Sequence, residues 1–68
     1  DEAREITRMR KEYLALMRDS TEIGVRSPGE GTKLYIRALE LGERLVQMGA
    51  SLPKAKFSID YFVKKYSS

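Results

Sequence analysis

The 68 residues contain neither histidine nor cysteine, so the commonest general base, the thiolate nucleophile and the usual zinc ligands are all missing. Carboxylate, lysine, serine and tyrosine chemistry remains. Glu40 and Glu43 stand three residues apart, as do Asp19 and Glu22, a spacing that puts two carboxylates on one face of a helix. Each pair is mixed with arginine neighbours, which is the pattern of a solvated charged face. Gly29-Glu30-Gly31 lacks the rest of either phosphate-binding glycine fingerprint, and no acidic cluster matches a calcium loop. A chain this short also offers little pocket volume. The sequence therefore reads as non-catalytic, with no cofactor and no metal.

Binding chemistry has a sharper signal. Phe57 and Tyr61 are four residues apart and stack on one helical face, nearly opposite Ile59, Phe62, Val63 and Tyr66. Lys54, Lys64 and Lys65 surround the pair. Two large aromatics with a basic rim resemble an exposed interaction patch, and these five residues are the expected partner-binding site. The competing reading is structural: Phe57 packs under the loop before the second helix or against the first helix.

Net charge points to the same segment. The formal net charge is +3, yet residues 1–26 carry six acids and six bases, and residues 27–49 carry three of each. The whole surplus lies after Gly49, where Lys54, Lys56, Lys64 and Lys65 face one acid, Asp60. An anionic partner would meet the chain there. An acidic amphipathic protein segment fits best, and nucleic acid or another polyanion is the alternative. Arg4, Arg8, Lys11 and Arg18 do not make a phosphate-tracking stripe, because Glu5, Glu12, Asp19 and Glu22 interleave with them.

Three amphipathic segments must position this surface. In the first, Ile6, Met9, Tyr13, Leu16, Ser20 and Ile23 form one 3-4 seam, with Met17 widening it, and Gly24 stands where a left-handed cap is expected. This clean seam makes a homodimer a third reading. Ser27-Pro28-Gly29-Glu30 has capping-box spacing with proline at the first helical position. The second segment carries two stripes, Leu34, Ala38, Leu41, Leu45 and Met48, and then Tyr35, Leu39, Gly42, Val46 and Gly49. Two stripes need two neighbours, so this helix is central. Gly42, mid-helix, marks a close approach by one of them, or else a groove where a partner backbone or helix approaches. Gly49 ends the helix, and a third runs from about Pro53 to Tyr66, its face formed by Leu52, Ala55, Ile59, Phe62, Val63 and Tyr66.

The expected architecture is one all-α domain over residues 1–68, an up-down-up three-helix bundle with helices at about 2–23, 30–49 and 53–66. A chain of this length buries roughly 60% of its surface, so its stability is marginal without help from a partner. No run of apolar residues is long enough to span a membrane. Absence of cysteine fits a reducing, intracellular compartment, and Asp1 at the first position reads as a segment of a longer or processed chain.

Leu34-Tyr35-Ile36-Arg37-Ala38-Leu39-Glu40-Leu41 is similar to the middle helix of microtubule-interacting-and-transport domains. Those domains are three-helix bundles that bind short helical segments of partner proteins in a groove between helices. By analogy, the resemblance implies a protein-interaction module that captures a partner segment. It covers eight residues, and the first and third segments carry no matching motif.

Overall fold

A computed structural model describes residues 1–54 and Lys64. The described residues are all-α, with two helices, α1 (Glu2–Arg26) and α2 (Pro28–Gln47). They pair antiparallel, since Tyr13 of α1 lies against Gly42 of α2 while Gly24 lies against Gly31 beside the turn. The expected third helix at about 53–66 falls outside the described residues, apart from Pro53, Lys54 and Lys64.

α1 starts on a working cap. The Asp1 carboxylate accepts from the Ala3 N–H at 3.0 Å, and Glu2 and Glu5 place negative charge at the positive end of the helix dipole. The helix does not stop at Gly24 as its sequence suggested; Gly24 is helical and the element continues to Arg26. Pro28 supplies the stop. The residue before a proline is pushed out of the α region by the ring, and Ser27 sits extended at φ −143° and ψ 86°.

One residue therefore ends α1 and begins α2. The Ser27 N–H donates to the Ile23 carbonyl at 2.7 Å, and the Ser27 carbonyl accepts from Gly31 N–H at 3.0 Å. Pro28 occupies the first helical position, where a missing N–H costs nothing. The capping box itself does not form. The Ser27 hydroxyl makes no cap bond, and Glu30 turns away to Lys33 at 3.4 Å.

So short a turn forces the two helices together, and glycine makes that feasible. A Cβ on Gly31 would lie 2.5 Å from the Gly24 Cα and 2.8 Å from the Ser20 carbonyl oxygen, both backbone atoms that cannot step aside. Ser20 is buried beside this contact, its hydroxyl satisfied by the Met17 carbonyl at 2.9 Å. Gly31 thus serves helix packing, and Gly24, which lies opposite it, is not a cap.

Away from the turn the helices part enough for larger side chains. Met9, Ala38 and Leu45 are fully buried, all on the seams expected to face inward. Burial of a Met or Leu side chain contributes about 2 kcal/mol each. α2 closes at its far end with a double bond pattern. Gly49 N–H donates to Val46 O at 2.9 Å and Ala50 N–H to Leu45 O at 3.0 Å, with Gly49 at φ +82°. This is a Schellman cap, and the left-handed residue is the glycine expected there. It ends the helix at Gln47, two residues short of the Gly49 boundary.

The glycine contacts predict opposite outcomes for two neighbouring substitutions. Gly31→Ala should lower stability by about 2 kcal/mol, since overpacking against fixed backbone outweighs the gain in helix propensity. Gly29→Ala has nothing within 4 Å of its new methyl group and should raise stability by about 0.5 kcal/mol. Urea unfolding followed by circular dichroism distinguishes the two.

Candidate functional site

The balance of charge on α1 settles into local ion pairs. Arg8 reaches Glu5 at 3.8 Å and Glu12 at 3.6 Å, and Arg18 reaches Asp19 at 3.3 Å. All are solvent-exposed and contribute well under 1 kcal/mol. They leave α1 with a solvated mixed-charge face, as its interleaved acids and bases implied. Among the described residues, no group of three or more carboxylates could hold a metal ion.

Glu40 and Glu43, the carboxylate pair of the sequence, point into different surroundings. Glu40 lines a shallow polar hollow of about 160 Å³ with Glu12, Leu16, Arg37, Leu41 and Arg44. Glu43 stands at the edge of an apolar groove instead. The pair is therefore not a joint site.

That groove is the most distinctive surface of the described residues. It measures about 300 Å³ and is lined by Tyr13, Leu39, Gly42, Glu43, Val46 and Leu52. Gly42 forms its floor. An added Cβ there would come 3.0 Å from the Tyr13 ring and 3.4 Å from Leu52, so the missing side chain is what lets both approach. Leu39 and Val46 stand one turn to either side and rise as walls. The Schellman cap redirects the chain after Gly49 and brings Leu52 back against Gly42.

The walls are open to solvent. Leu39 is 48% exposed, Val46 57% and Leu52 42%, while Leu45, next to Val46 in sequence, is wholly buried. Tyr35 and Ile36 extend the same exposed surface one turn toward the helical turn. The sequence pattern gave α2 two stripes and expected two neighbours to cover them, the first and third segments, without saying which stripe each would cover. The structure packs the first stripe on α1 and leaves most of the second uncovered. Only Gly42, its central member, is buried. The signal for this surface was present in the two stripes, but pattern alone does not say which stripe is the more exposed.

Of the five residues first expected to bind a partner, Lys54 and Lys64 are exposed. Phe57, Tyr61 and Lys65 lie outside the described residues. Lys54 follows Leu52 closely, so the basic segment begins at the edge of the apolar groove. No helix among the described residues is long and apolar enough to cross a membrane.

No known protein family, curated protein or solved structure matches the chain.

Adjacent residues on α2 give a direct check on which stripe is core. Leu45→Ala should cost about 3 kcal/mol, and Val46→Ala should change stability by less than about 0.5 kcal/mol. Thermal unfolding of the two variants would show equal losses if both stripes were packed.

Proposed function

We propose that this chain is a non-catalytic protein-interaction module that captures an acidic amphipathic segment of a partner protein. The observation that carries the reading is the half-exposed apolar stripe of Tyr35, Leu39 and Val46, next to the segment that holds the chain's entire surplus of positive charge. Exposed apolar surface with a polar rim commonly marks an interaction site. An amphipathic helix laid on the stripe would seat apolar side chains between Leu39 and Val46, over the floor at Gly42. Lys54, Lys64 and Lys65 would attract its acidic face and speed encounter.

In this reading the segment after Lys54 forms the third helix of an up-down-up bundle. Its inner face would be Ile59, Phe62, Val63 and Tyr66, with Phe57 and Tyr61 as partner anchors on the opposite, outer face. Leu52 already supplies one wall of the groove where that segment begins.

Nucleic acid is the second reading, favoured by the surplus lysines alone. The cations of α1 add little to it, because Arg8 and Arg18 are engaged with carboxylates. Salt dependence separates the two. Phosphate binding weakens steeply as salt rises, and an apolar anchor site weakens little.

Selection from a library of amphipathic peptides, followed by fluorescence anisotropy, tests the proposal. Leu39→Ser with Val46→Ser should weaken the selected acidic peptides at least tenfold while leaving the circular dichroism spectrum unchanged. Lys54→Glu should weaken them severalfold, mainly through slower association. Peptides that bind the double variant as tightly as the parent chain would show that the groove is not the site.

A further inference from the structure

The turn between α1 and α2 is one residue long, and that has a consequence for how many copies of the chain share a fold. α1 ends at Arg26 and α2 begins at Pro28, so the backbone of Ser27 alone separates the hairpin from one continuous helix. We propose that Pro28 is the lock that keeps the chain a closed hairpin. Without it, α1 and α2 fuse and two copies of the chain exchange helices.

Local energetics favour fusion except at this one position. In the hairpin, first-turn N–H groups of α2 lack carbonyl partners within their helix, and the Ser27 hydroxyl does not cap them. A continuous helix would give Gly29 and Glu30 N–H groups the carbonyls of the preceding turn. Pro28 opposes this in two ways. Its ring clashes with the carbonyl four residues earlier, that of Gly24, and it excludes Ser27 from helical dihedrals. The observed extended Ser27 is the result.

Contacts beyond the turn do not discriminate between the two states. In an exchanged dimer, α1 of each copy packs on α2 of the other in the same antiparallel register. Met9, Ala38 and Leu45 are buried again, and Gly24 meets the other copy's Gly31. When the closed and exchanged interfaces are the same, the hinge decides.

The test is Pro28→Ala in the whole 68-residue chain, studied by sedimentation over a concentration series and by small-angle scattering. The inference predicts a concentration-dependent dimer with higher helix content. Fusing the 25 residues of α1, Ser27 and the 20 residues of α2 gives a rod of about 70 Å at roughly 1.5 Å per residue. Inserting a flexible four-residue Gly/Ser linker after Ser27 in the same variant should restore the monomer, because the hinge can fold back. A monomeric Pro28→Ala chain overturns the inference, as does one that loses helicity. A dimer that survives the linker insertion also overturns it, since that dimer joins through another face.

Discussion

The structure depends on the contact of two backbones at Gly24 and Gly31. Ser27 allows no slack, so the helices must meet almost as they leave the turn, and a single methyl group on Gly31 would collide with main-chain atoms. From that pivot the register of the hairpin follows. Gly24 faces Gly31, Tyr13 faces Gly42, and Met9 and Leu45 are both buried at the open end. Small residues meet at the turn, and the larger Met9 and Leu45 are buried toward the other end of the hairpin.

The register decides which face of α2 is spent on the fold. Ala38 and Leu45 turn to α1, and Tyr35, Leu39 and Val46 are carried round to solvent. Gly42 lies between these sets and serves both. It lets Tyr13 close the core and lets Leu52 return, and so forms the floor of the groove. Packing and the candidate binding surface are thus linked through one glycine. Arg37, Glu40 and Arg44 stay on the charged edge of the same helix, away from the groove.

Much of this was legible in the residues. The 3-4 seam of α1 as far as Ser20, the first stripe of α2 and the Schellman glycine follow from local periodicity or backbone freedom and appear where expected, whereas Ile23 at the end of the seam and the second stripe are exposed. Gly24 misled because a glycine after an apolar seam looks like a stop, whereas the stop is encoded by Pro28 acting on Ser27. Pattern could not distinguish a glycine that ends a helix from one that sits inside it. The uncovered stripe was hidden for a related reason. Periodicity reports that a face is apolar, but which neighbour covers it depends on register, and register depends on the Gly24–Gly31 contact. The first expected site, on Phe57 and Tyr61, lies outside the described residues, and only Lys54 and Lys64 of that set are placed, both exposed.

Solvent access to the α2 methyl groups in the free chain tests the central claim most directly. A soluble paramagnetic probe, added to a dilute methyl-labelled sample, broadens each methyl resonance according to its exposure. The account predicts strong broadening of Leu39 and Val46 and near-complete protection of Leu45. Protection of Leu39 and Val46 equal to that of Leu45 would contradict it, because the second stripe would then already be covered and no groove would be open to a partner.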